Sequence, residues 1–160
     1  MSPSLFKSRR TPALPLDLLP RERTLVAVQD KAGRWVAATD RAIVTADRRL
    51  DWADVGHAQW LDEELVLVVE PVDPADVALR LALPDPGRLP ETVHERVMAS
   101  IVVSRRVPVP GGFVRIVGRD GGDGELRWQV IADGGVDAAA PDVRRTADSA
   151  LVALRSELGR

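Results

Sequence analysis

Leu25-Val-Ala-Val28, Trp35-Val-Ala-Ala38, Ile43-Val-Thr45, Gly56-His-Ala-Gln-Trp60, Leu65-Val-Leu-Val-Val69 and Val77-Ala-Leu-Arg-Leu81 are short apolar runs, each bounded by turn residues. None is long enough for a stable helix, and their spacing is that of strands in a small antiparallel assembly. The next segment changes period. Over Leu89–Val103, the residues Leu89, Val93, Val97 and Ile101 form one helical stripe, with Met98 and Val102 beside it. The pattern predicts a mainly β (α+β) fold: an antiparallel barrel or sandwich over residues 24–83, capped at one open end by that helix. Val93, Val97 and Ile101 are its expected inward residues.

The connectors have their own chemistry. Lys31-Ala-Gly33 reads as a hairpin turn, because Gly33 tolerates a positive φ. In Thr39-Asp-Arg41 the short polar side chains bond nearby backbone, and Asp51-Trp-Ala-Asp54 reads as a kink or a single helical turn. Leu61-Asp-Glu-Glu64 turns the Trp60 strand back on itself. Pro90 and Glu91 suit the first turn of the following helix, where an imino nitrogen costs no hydrogen bond and a carboxylate meets the helix dipole. The helix boundary is placed near Ser104, although the β-branched run Ile101-Val-Val103 would also open a strand.

Beyond Ser104 the texture is different. Arg105–Val109 reads as a strand, Pro110-Gly-Gly112 as a turn, and Phe113–Gly118 with Leu126–Ala132 as a hairpin. Pro141–Leu158 carries Val143, Ala147, Ala150, Leu151, Leu154 and Leu158 on one helical face, with Gly159 as a stop signal. That stripe must bury against something, and the preceding sheet is the nearest candidate, with Phe113, Ile116, Val130 and Ile131 in need of cover. The expected organisation is a basic, proline-rich tail over 1–18, a capped β unit over 19–104, and a sheet with its helix over 105–160 packed onto that unit. Leu18 and Leu19 are expected to tuck against the β unit.

Composition narrows the function classes. The chain has 160 residues, 45% hydrophobic and 29% charged, with a net charge of −2, an ordinary globular profile. Such a balance lacks the concentrated positive footprint of a nucleic-acid binder. Lys7 and Lys31 are the only lysines, so the basic charge is almost all arginine, a skew expected of a GC-rich genome. The absence of cysteine removes disulfides, thiolate metal sites and cysteine nucleophiles. No apolar stretch approaches the ~20 residues of a membrane span. The N-terminal prolines and Asp17 break any signal-peptide core, so a cytoplasmic location is expected.

Leu19-Pro-Arg-Glu-Arg-Thr-Leu25, Ala38-Thr-Asp-Arg-Ala-Ile43 and Leu50-Asp-Trp-Ala-Asp-Val55, followed by the helix that opens at Leu89, resemble the bacterial pleckstrin-homology (PH)-like and GRAM-like domains. The resemblance covers roughly residues 19 to 104. It implies a PH-like barrel or sandwich and a binding role. The whole chain also resembles a group of proteins from high-GC, actinobacterial-type bacteria, and this resemblance implies no activity.

No residue pattern assigns catalysis. His57 and His94 are the only histidines and lack metal-ligand spacing; no Gly-x-Ser-x-Gly elbow surrounds a serine. Asp120-Gly-Gly-Asp-Gly-Glu125 resembles a cation or phosphate loop only superficially, because a strand follows it where a helix is required. Trp35, Trp52, Trp60 and Trp128 are read as core, Trp52 with least support because it sits in a turn. No catalytic residue, metal or cofactor is expected. The expected function is a non-enzymatic module for a protein or peptide partner. The alternative is association with an anionic membrane through the basic tail (Lys7, Arg9, Arg10) and the hairpin residues Lys31 and Arg34. An enzyme with an unrecognised site ranks last, and nothing in the sequence fixes the oligomeric state.

Overall fold

The computed structural model describes residues 14–122 and 124–159. The basic run of the tail and Asp123 of the glycine-rich hairpin tip lie outside them. The described residues form ten strands in three antiparallel sheets and two α-helices. Strands β1 (Thr24–Gln29), β2 (Trp35–Thr39), β3 (Ala42–Thr45) and β4 (Arg49–Asp51) make a four-stranded meander. A single 3₁₀ turn, Trp52–Asp54, leads into β5 (Val55–Leu61), β6 (Val66–Pro71) and β7 (Leu79–Ala82), the second sheet. Helix α1 (Leu89–Ala99) follows. The third sheet is built from β8 (Ile101–Val109), β9 (Gly112–Asp120) and β10 (Leu126–Ala132), in the order β10-β9-β8, and α2 (Pro141–Leu158) closes the chain.

The first two sheets and α1 share one core. Val36, Ala38, Ile43 and Leu50 from the first sheet meet Val55, Leu67, Val69 and Leu81 from the second, and Leu89, Val93 and Val97 cover them from the helix. No closed barrel forms: no ladder joins the two sheets among the described residues, so the barrel form of the expectation is not realised. A backbone bond from Lys31 N–H to Ala82 O at 2.8 Å links the two sheets instead, while Val72 N–H to Asp54 O at 2.8 Å extends the β5–β6 pairing. Trp52, the tryptophan least expected in the core, is the most buried of the four: only 6% exposed, it donates its indole N–H to Thr39 O at 2.9 Å. Trp35, Trp60 and Trp128 are half-buried.

Several local expectations are corrected. Helix α1 ends at Ala99, not near Ser104, and Ile101-Val-Val103 belongs to β8. The β-branched residues gain a partner strand there, Ile101 facing Arg119 and Val103 facing Gly118 across a bulge. Ile101 is therefore half-buried in a strand and not part of the helical stripe, and Met98 and Val102 are exposed at 54% and 53%. Strand β7 begins at Leu79, leaving Val77 exposed at 74%. β4 is a strand that the polar sequence around Arg48 and Arg49 did not announce. Leu65 lies outside β6, at a φ of +54° in the tight turn. Leu18 is half-buried and Leu19 is exposed.

The turns behave as their chemistry dictates. Asp30 Oδ1 accepts from the backbone N–H groups of Ala32 and Arg34, and Gly33 takes a φ of +82°. Thr39 Oγ1 accepts from Arg41 and Ala42 N–H, whereas Asp40 reaches across to Arg23 N–H.

The C-terminal helix packs on its own sheet. Val143 and Ala147 bury against Val114 and Val136, with Val107, Val109 and Ala132 around them, and Leu154 is also buried. Of the sheet residues expected to need cover, Ile116 is buried, whereas Val130 and Ile131 stay exposed and Phe113 stacks under the Arg106 guanidinium at 3.9 Å. Arg105 pairs with Glu157 at 2.9 Å, and Gly159 ends the helix in a left-handed conformation.

Arg119 ties the third sheet to the rest. It is 2% exposed on β9, and each hydrogen-bond acceptor recorded for it is a neutral oxygen. Its Nη1 donates to Val97 O and Ser100 Oγ, both at 3.0 Å, and its Nη2 donates to Gly56 O at 3.1 Å and Gln129 Oε1 at 3.3 Å. Burial pushes the guanidinium below its ordinary range. These neutral acceptors belong to α1's C-terminal turn, β5 and β10, so one side chain joins three elements. Gly56 permits the approach, because a Cβ there would meet Gln129 Nε2 at 2.7 Å.

Candidate functional site

Two concavities stand out, each of about 440 Å³, at opposite ends of α1. The first lies where the third sheet meets the four-stranded sheet. Arg41, Arg49, Asp51, Arg96, Ser100 and Asp120 are among its lining residues. Most of its charge is already matched. Arg49 Nη1 contacts Glu22 at 2.8 Å and its Nε contacts Asp51 at 3.3 Å; Asp40 takes Arg23 N–H, and Asp120 takes Gly122 N–H.

Glu22 anchors that end. Its side chain has no solvent exposure and accepts from Arg49, from Thr39 Oγ1 and from Leu19 N–H. Burial pushes its carboxyl up, but the hydrogen bonds from Arg49, Thr39 and Leu19 outweigh it and hold the group below its ordinary value. The stabilisation is therefore complete above the unfolded glutamate pKa of about 4.3, and it is lost as pH falls through the lower folded value. Glu22→Gln is expected to cost about 2 kcal/mol at pH 7, the scale of a charge-assisted hydrogen bond. Urea unfolding at pH 7 and pH 3 checks this: the gap to wild type narrows at the lower pH.

The second concavity is a groove between β5 and α1. Ala58 and Trp60 of β5 and Leu67 of β6 form an apolar floor, walled by Pro90 and His94. The alternation of β5 creates it: Ala58 and Trp60 point towards the core, while His57 and Gln59 face solvent. β5 is an edge strand, paired with no strand but β6 among the described residues; Gly56 O accepts from Arg119 Nη2, and the stretch beyond it offers a strand edge beside the groove. The rim is acidic. Glu91 and Glu95 line the groove from exposed positions on α1, and Trp60 Nε1–H donates to Asp62 Oδ1 at 3.2 Å in the turn Asp62-Glu63-Glu64. No ion pair engages Glu91 or Glu95 among the described residues.

The structure puts Lys31 and Arg34 on one exposed hairpin, but Arg34 Nε contacts Asp30 at 3.2 Å. Burial raises the Asp30 carboxyl, and the Arg34 and Ala32 N–H groups with the Arg34 guanidinium more than reverse this. The basic tail proposed to act with that hairpin lies outside the described residues. His57 and His94 are both exposed and far apart in role, on a strand face and on the groove wall. No group of three or more metal-ligating side chains converges among the described residues, and no helix among them is long and apolar enough to cross a membrane. The groove was not read from the sequence. Trp60 and His94 were each singled out, but only the topology brings them together. Compared with family models, curated proteins and solved structures, the chain finds no match in any of the three.

Proposed function

We propose that the chain is a cytoplasmic, non-enzymatic PH-like module that binds an extended peptide of a protein partner along the free edge of β5. The observation that carries this reading is the conjunction at one place of an unpaired strand edge and an apolar floor of Ala58, Trp60 and Leu67. Strand addition uses both: main-chain hydrogen bonds supply affinity, and pockets for alternate side chains supply specificity. Two sheets sharing one core with a helix across them support the PH-like assignment.

Selection from a displayed library of random dodecapeptides against the full chain tests the reading. Enriched peptides are expected to carry an apolar anchor flanked by basic residues, matching the floor and the Glu91 and Glu95 rim. Backbone N-methylation at alternate positions of such a peptide abolishes binding in one phase of the alternation and spares it in the other. Trp60→Ala is expected to weaken binding by at least about tenfold, the scale of an aromatic anchor. Peptides insensitive to methylation, or salt-sensitive sedimentation of the protein with anionic liposomes in place of peptide binding, would refute it.

A further inference from the structure

We propose that the junction cleft, at the other end of α1 from the groove, is a second binding site, built for a phosphate monoester. Its walls are the β2–β3 turn, β4 with the 3₁₀ turn, the end of α1 and the loop after β9, around a space of about 440 Å³. The carboxylates that line it already have partners. Asp40 accepts from Arg23 N–H, Asp51 contacts Arg49 Nε, and Asp120 accepts from Gly122 N–H; Arg49 is held in turn by Glu22. Arg41 and Arg96 line the same cleft, and no hydrogen bond or ion pair engages either guanidinium among the described residues. The uncommitted charge of the cleft is therefore positive.

The negative end of the α1 dipole is met by other groups. Val97 O accepts from Ser100 Oγ at 2.6 Å and from Arg119 Nη1 at 3.0 Å, and Arg96 O accepts from Ser100 N–H. Arg119 also adds charge from behind the cleft. Ser100 lines the wall, and its Oγ lies 3.0 Å from that buried guanidinium, whose recorded acceptors are all neutral oxygens. A charge in a low-dielectric interior is weakly screened, so it favours a negative group at the wall. Two free guanidinium groups on different elements suit a tetrahedral dianion better than one planar carboxylate. A phosphate monoester carries about −1.5 to −2 charges at pH 7 and three acceptor oxygens, enough for each arginine to bind its own. Leu19, Trp52, Ala53 and Val102 give the organic part of the ester an apolar wall.

Amide NMR of the isotope-labelled full chain, titrated with phenyl phosphate, decides the inference. Expected are shifts that saturate below about 10 mM and map to residues 40–41, 49–53, 96–102 and 120–122. Arg41→Gln and Arg96→Gln are each expected to weaken binding at least about tenfold, the scale of a charge-assisted hydrogen bond. Arg80→Gln, an exposed arginine of β7 outside the cleft, is expected to leave it unchanged. The same spectra show whether each variant is folded. Shifts that do not saturate or that map elsewhere, an unchanged Kd in either cleft variant, or equal binding of benzoate overturn the proposal. Vesicles of phosphatidylcholine with a phosphatidylinositol phosphate separate the sources of the ester. Sedimentation that is lost in Arg41→Gln and Arg96→Gln assigns it to a lipid headgroup, and protein left in the supernatant assigns it to a soluble molecule.

Discussion

Placing a carboxylate at Val97 (Val97→Asp) is expected to abolish the cooperative thermal transition and to flatten the near-UV circular dichroism of the four tryptophans. Val97 is buried in the core that both sheets share with α1, among apolar side chains. An unpaired carboxylate there costs several kcal/mol, and the lost burial of the valine adds about 1.5–3 kcal/mol. Domains of this size have about 5–15 kcal/mol in total. The carbonyl of the same residue accepts from Ser100 Oγ and Arg119 Nη1, so a displaced helix end also loosens the third sheet. Val97→Ala is the milder comparison, at about 1–3 kcal/mol. A cooperative transition retained in Val97→Asp would show that α1 is not a structural lid.

Removal of residues from Pro141 onward is expected to give an aggregating protein. Loss of Val143 and Ala147 would leave Val114 and Val136 uncovered, beside a sheet on which Val130 and Ile131 of β10 are already exposed. In the full chain, Leu154→Asp is expected to cost at least about 4 kcal/mol through burial of an unpaired charge and loss of leucine packing. Light scattering on heating, with the melting temperature, checks both. A truncated chain that stays monomeric with the wild-type melting temperature would make the helix dispensable and its stripe a surface for another molecule.

Much of the fold was legible because it is written in local patterns. The β5–β6 hairpin follows from alternation around an acidic turn, and α2 from a stripe that ends in Gly159. The departures share one cause: tertiary partners that a local pattern does not contain. Ile101-Val-Val103 continues a helical stripe on paper, yet β9 offers it a ladder, and pairing wins over a frayed last turn. Arg119 lies just past the Phe113–Gly118 run and carries no burial signal in the sequence, whereas the carbonyls of Gly56 and Val97, distant in sequence, hold it in the interior. β4 is too short and polar to signal itself. It is held by pairing with β3 and by the contact between Arg49 and Glu22.

The groove was illegible for a further reason. A free strand edge is a property of sheet order, and sheet order depends on which hairpins meet. Trp60 and His94 carried no shared signal until β5 was placed at the edge of its sheet and α1 beside it.

Hydrogen exchange of the full chain, with and without a library-selected peptide, tests strand addition at β5 most directly. Expected on peptide binding is slowed exchange at the alternate backbone amides of residues 55–61 that point away from β6, with β7 unchanged. Protection confined to the junction cleft around Arg49 and Arg96, or no protection on β5 at saturating peptide, contradicts it.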